Sequence, residues 1–106
     1  MAEVVWTEPA LSDLDAIADY IAPHNPAAAK ALVRRIVKHV GQLAGHPLSG
    51  SKLPELEGWR YRQIVARPCR VIYRHEKGVV HILHVVRGER LIDQLLLSDR
   101  NESTST

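Results

Sequence analysis

Residues 60–90, RYRQIVARPCRVIYRHEKGVVHILHVVRGER, contain seven of the ten arginines in this 106-residue sequence. A guanidinium stays charged at any physiological pH and presents a fork of donors that fits a carboxylate or a phosphate in bidentate fashion. Eight Lys/Arg stand here against only Glu76 and Glu89, while the whole chain carries +2. Residues 1–59 and 91–106 are each acidic on balance. Positive charge confined to one part of a small molecule points to an anionic partner more strongly than the total charge does.

Other chemistries find less support. His75, His81 and His84 invite a metal, but residues three apart in a regular strand point to opposite faces, which defeats joint ligation by His81 and His84. With one cysteine and no paired ligand spacing, neither a metal nor any other cofactor is expected. Cys69 cannot form an intramolecular disulfide, and no base is placed beside it to make it a nucleophile. No signal peptide or membrane span is visible, so a cytoplasmic protein with no membrane contact is expected.

The elements that must position the arginines follow from periodicity. EVVW (3–6) reads as a first strand. Thr7 is a helix N-cap, with Pro9 in the first turn and Leu11, Leu14, Ile17, Ala18 and Ile21 at helical spacing. Asn25-Pro26 restarts the pattern as N-cap and first helical residue, and the second helix, roughly 26–44, carries Ala28, Leu32, Ile36, Val40 and Leu43 on one face. Arg34, Arg35 and Lys38 lie towards its other side. Residues 46–58 are a loop. Three strand-like runs follow at 60–66, 70–75 and 79–87.

The expected architecture is α+β: an N-terminal strand, an αα-hairpin, then a three-stranded antiparallel meander, with both helices on one face of the sheet. Residues 1–97 form one domain and 98–106 a disordered tail. Alternation puts Arg60, Arg62, Ile64 and Ala66 on one face of the first run, and Arg70, Ile72 and Arg74 on one face of the second. If Val71 and Tyr73 pack under the helices, Arg70 and Arg74 project from an open, basic sheet face. Arg87 closes the third run and Arg90 follows it. Trp6 and Tyr20 are expected in the core or between helix and sheet. Trp59 is divided between burial and surface contact, and within the apolar piece 91–97 the Leu95-Leu96-Leu97 segment either covers the core or, the favoured reading, makes a partner or dimer contact. The bland reading of any single arginine is a solvated strand edge that resists aggregation.

The ordered pieces W-T-x-x-A-x-x-D-L-x-x-I-x-x-Y-I (Trp6 to Ile21), P-x-A-A (Pro26 to Ala29) and L-x-x-x-P-x-x-G (Leu43 to Gly50) resemble the ParE/RelE toxin superfamily. So do Y-R-Q-I (Tyr61 to Ile64), R-V-I-Y-R (Arg70 to Arg74) and H-I-L-H-V-V-R-G-E-R (His81 to Arg90). The resemblance implies the toxin of a type II toxin–antitoxin pair, held inactive by a cognate antitoxin in a hetero-oligomer. RelE-like members cleave mRNA on the ribosome, whereas ParE-like members inhibit DNA gyrase without recognised catalytic residues.

Arg62 and Arg70 match arginines that nuclease members also carry. After Arg87, however, this chain reads Gly88-Glu89-Arg90 where similar nucleases place His or Tyr. Cleavage at an RNA 2′-OH needs a base as well as a cation, and arginine, with a pKa above about 12, is a poor base. The expectation is therefore a ParE-like, non-enzymatic gyrase inhibitor, with Arg60, Arg62, Arg70, Arg74, Arg87 and Arg90 contacting target or antitoxin. The alternatives are a ribosome-dependent endoribonuclease or a non-toxic member that binds an antitoxin alone.

Overall fold

A computed structural model of the chain describes residues 1–53 and 60–88. Trp59, Arg90, the apolar segment 91–97 and the tail 98–106 lie outside the described residues.

The order of elements is β1 (Glu3–Trp6), α1 (Glu8–Ile21), α2 (Pro26–Gly41), β2 (Ser51–Lys52), β3 (Tyr61–Ala66), β4 (Cys69–Glu76) and β5 (Val79–Arg87). Both helix starts are set by their caps. The Thr7 hydroxyl accepts from the Ala10 N–H and donates to the Ile82 carbonyl at 2.6 Å, so one side chain caps α1 and ties it to β5. The Asn25 side chain accepts from the Ala28 N–H at 3.0 Å, and Pro26 follows at a position where a missing N–H costs nothing.

The sheet runs β1-β5-β4-β3-β2. The three long strands form the expected antiparallel meander, and β1 pairs with β5 in parallel, Glu3 to Val79 through Trp6 to Ile82. The 46–58 stretch, expected to be all loop, contributes the short edge strand β2, in which Ser51 opposes Gln63 and Lys52 opposes Arg62. In β5, Ile82 is in register with Tyr73 and His84 with Ile72, which leaves Leu83 as the extra residue of a bulge. Simple alternation therefore does not decide the faces of His81 and His84.

The main core lies between helices and sheet: Ala10 and Ile17 from α1, Leu32, Ile36 and Val40 from α2, Leu43 beyond it, and Cys69, Val71, Tyr73, Val80, Ile82 and Val85 from the strands. Ala29, not Ala28, heads the buried stripe of α2, because the spacing 29, 32, 36, 40 keeps a single face. In α1, Leu11 falls off the stripe and is exposed. Tyr20, expected to pack inside, is 64% exposed, whereas Trp6 does pack against the core.

A second, smaller cluster of Leu53, Ile72 and Val86, with Tyr61 against it, covers part of the far face of the sheet. That face is therefore not open along its length. Leu53, just past β2, closes its middle.

Candidate interaction surface

The register separates arginines that sequence spacing had grouped. Arg62 opposes Tyr73, on the helix side of the sheet, whereas Arg70 opposes Val65 and Val86 on the far side. Arg70 and Arg74 do share the far face, as alternation predicts, but both are half-buried rather than projecting. Between them Ile72 is fully buried. Arg60, Arg62, Arg70, Arg74 and Arg87 therefore do not form one basic surface.

Most of these guanidiniums are already engaged. Arg62 donates to the Gly50 carbonyl at 2.8 Å and holds the loop before β2 against β3. Arg70 donates to Gln63 Oε1 at 3.3 Å. Glu76 takes Arg60 at 2.9 Å on one oxygen and lies 3.6 Å from Arg74 Nε through the other. The three line a small cleft of about 220 Å³ with Tyr61. Exposed pairs of this kind contribute at most about 1 kcal/mol. They do cancel charge locally, and two arginines here share one carboxylate.

Arg87 differs. It is exposed, and its guanidinium lies 4.4 Å from the centroid of the Tyr20 ring. This cation–π contact explains why Tyr20 is at the surface: its ring serves as a platform on α1 for the last residue of β5. Beside them, a cleft of about 300 Å³ is lined by Asp13, Ala16, Ile17, Tyr20, Val85 and Arg87. Within it Asp13 Oδ2 accepts from the Val85 N–H at 3.0 Å and lies 3.1 Å from His84 Nδ1. Asp13 is absent from the set of residues that sequence spacing selects. The missed signal was its position between Ala10 and Ile17 on the stripe that faces the core.

Tyr73 anchors the loop ahead of β2. Its hydroxyl donates to the Pro47 carbonyl at 2.8 Å and accepts the Gly50 N–H at 2.9 Å, with the ring fully buried. Burial pushes the phenol above its ordinary value of 10.0, against the Gly50 hydrogen bond and nearby Arg62. Burial likewise raises the Cys69 thiol above 9.0, against the pull of Arg87 and Arg35. A group whose folded pKa is raised contributes its stability below the unfolded value and loses it as pH rises towards the folded one. Urea midpoints should therefore fall as pH climbs from about 9 upward, and Cys69→Ala should flatten the early part of that decline. An unchanged alkaline slope in Cys69→Ala would refute the assignment.

Among the described residues no three His, Cys, Asp or Glu side chains gather to hold a metal, and no helix is long and apolar enough to cross a membrane.

A family model described as the ParE toxin of the type II toxin–antitoxin system, parDE, matches residues 4–92. The chain belongs to the ParE toxin family. It is similar to Toxin RelE2 of Caulobacter vibrioides, at 39% identity over 92 residues that span 86% of this chain and 100% of that protein. Its fold is similar to a chain of the chromosomal ParDE TA system from P. aeruginosa, with a TM-score of 0.68 and 29% identity over 84% of this chain and 98% of that one. This ParE-family chain is thus a toxin of the type II toxin–antitoxin class. The helical hairpin and the meander fall within the matched residues 4–92. Gly50, which ends the L-x-x-x-P-x-x-G piece of the resemblance, is the residue that meets Tyr73.

Proposed function

We propose that this toxin acts by binding and blocking DNA gyrase, and so DNA replication, without catalysing a reaction of its own. The observation that carries this reading is the placement of Arg62 and Arg70. These are the two arginines that match nuclease members, and they lie on opposite sides of the sheet. Two side chains divided in this way cannot converge on one phosphate. Arg62 is further committed to the Gly50 carbonyl. Blocking a target needs affinity alone, which positioned cations provide.

The cognate antitoxin supplies a helix to the groove between α1 and α2. Ala18, Ala22, Pro26, Ala29 and Val33 line this groove of about 370 Å³, with Asp19, Lys30 and Arg34 also on its walls. Small apolar residues flanked by both signs of charge suit an amphipathic helix laid across them.

A second reading, ribosome-dependent mRNA cleavage, is favoured by the name of the 39% identical relative, Toxin RelE2. Pulse-labelling after tightly controlled induction of this chain without its antitoxin separates the two. DNA synthesis should fall first while translation continues. Early loss of translation with message decay, abolished by Arg70→Ala in a folded protein, would replace gyrase with the ribosome.

A further inference from the structure

With Arg60 and Arg74 sharing Glu76 and Arg62 bound to loop carbonyls, the cationic surface left to a partner lies elsewhere. At the β3–β4 turn, Arg35 Nη2 of α2 donates to the Arg67 carbonyl at 2.6 Å, which fixes the helix against the turn. Arg87, at the end of β5, opposes Cys69, the first residue after that turn, and the Gly88 N–H bonds to the Pro68 carbonyl at 2.8 Å. Arg35, Arg67 and Arg87 are all exposed, and among the described residues none of them forms an ion pair with a carboxylate. Both Arg35 and Arg87 also act electrostatically on the Cys69 thiol buried beneath them. Asp13 shares a cleft with Arg87, yet its carboxylate is spent on the Val85 N–H and His84.

The charge continues along α2. Its sequence, PAAAKALVRRIVKHVG, holds four cations and no acid, and Lys30, Arg34, Arg35 and Lys38 are all exposed. From Lys30 to Lys38 the helix rises about 12 Å. One acidic side chain, or a short acidic peptide turn, would meet only part of so long a row. A sugar–phosphate backbone repeats its charge and can meet all of it.

We infer that the turn end of the molecule, built by Arg35, Arg67 and Arg87 and extended along α2, binds the phosphodiester backbone of a nucleic-acid duplex without reading its sequence. The inference goes beyond gyrase inhibition and does not depend on it, since the contact is to nucleic acid directly. Arg35 is held by its bond to the turn, Arg87 rests on Tyr20, and the cluster is therefore arranged before the ligand arrives. Arg35 and Arg67 were outside the set that sequence spacing selected. One is on a helix, the other is in a turn, and only the tertiary fold brings them to Arg87.

The test is fluorescence anisotropy with the purified, antitoxin-free chain and a labelled 20-base-pair DNA duplex of arbitrary sequence, repeated with an RNA duplex and across a salt series. Three phosphate contacts at the turn end alone predict that affinity falls at least roughly 40-fold between 50 and 200 mM salt, from a log–log slope of about −0.9 per contact, and contacts along α2 steepen the fall. Arg35→Gln, Arg67→Gln and Arg87→Gln should each lower that slope by about 0.9, with thermal melts showing the fold intact. Arg35→Lys, which keeps the charge, should retain most of the binding, and Arg60→Gln on the far face should leave it unchanged. Equal affinity for DNA and RNA duplexes supports recognition of the backbone alone, and a preference for one identifies the source. No duplex binding at 50 mM salt overturns the inference. So does loss on Arg60→Gln equal to that of the turn variants, or displacement by polyglutamate as effective, charge for charge, as by unlabelled duplex.

Discussion

Gly50→Ala should destabilise the protein by about 3–4 kcal/mol, a large share of the 5–15 kcal/mol typical of a small fold. A Cβ at this position would sit 2.6 Å from the Gln63 carbonyl oxygen and 2.6 Å from both Cε1 and the hydroxyl of Tyr73. None of these can yield cheaply. The Gln63 oxygen is main chain within β3, directly opposite Ser51 in the β2 pairing. The Tyr73 ring is fully buried, and its hydroxyl is held between the Pro47 carbonyl and the Gly50 N–H. Relief requires moving the loop outward, which breaks both of those bonds and the Arg62 contact to the Gly50 carbonyl. The cost combines overpacking, about 1–3 kcal/mol, with a buried N–H left without its acceptor, about 1–3 kcal/mol. Urea unfolding followed by circular dichroism measures it. Tyr73→Phe alone should cost about 1–2 kcal/mol. Combined with it, Gly50→Ala should cost less than in the parent, because the clash with the hydroxyl and both of its hydrogen bonds are already gone. Strict additivity, or a Gly50→Ala loss under 1 kcal/mol, would show that the loop is not packed as described.

The helix hairpin and the three-strand meander were legible because each rests on a local rule. Thr7 and Asn25 are caps, the stripe through Leu32, Ile36 and Val40 has the helical period, and Val71 and Tyr73 alternate with Arg70, Ile72 and Arg74. What sequence could not show depends on register and tertiary approach. Arg62 and Arg70 look alike in a list of spaced arginines, yet the pairing of Arg62 with Tyr73 and Val65 with Arg70 puts them on opposite faces. Leu53 sits in a stretch rich in Pro and Gly, and nothing local announces that it caps Ile72 and Val86. The bulge at Leu83 breaks the parity argument made for His81 and His84, and no residue type marks it in advance. Tyr20 reads as a core aromatic on an amphipathic helix until Arg87 is seen over its ring. The available positive charge moved for the same reason. Spacing along the strands pointed to the sheet face, but Glu76 neutralises part of it, and Arg35 and Arg67 enter only through the packing of α2 on the β3–β4 turn.

Asp13→Ala should cost about 3 kcal/mol and loosen the end of β5 that carries Arg87. The reason lies in how β1 ends. Its pairing with β5 stops at Trp6 opposite Ile82, and Thr7 then takes the Ile82 carbonyl as the chain turns into α1. Beyond that point no strand among the described residues pairs with β5 on this side, and the Val85 N–H takes another acceptor. Asp13, in the second turn of α1, supplies it at 3.0 Å and offers the same oxygen to His84 Nδ1 at 3.1 Å. With His84 and Val85 both buried, truncation removes an acceptor that water replaces poorly. Hydrogen bonds to a charged group contribute about 1.5–3 kcal/mol each, and the partial exposure of Asp13 lowers the sum. Asp13→Asn keeps an acceptor oxygen and should lose about half as much. Hydrogen exchange at Val85, Val86 and Arg87 reads the local effect, which should exceed that at Val71 in the middle of the sheet. Uniform exchange across β4 and β5, or an Asp13→Ala variant as stable as the parent, would mean that the edge is closed by something other than this carboxylate. A loosened β5 end would also release Arg87 from Tyr20. Asp13→Ala should therefore weaken duplex binding at the turn end even though it removes a negative charge, the reverse of what simple electrostatics predicts for losing an acid beside a phosphate site.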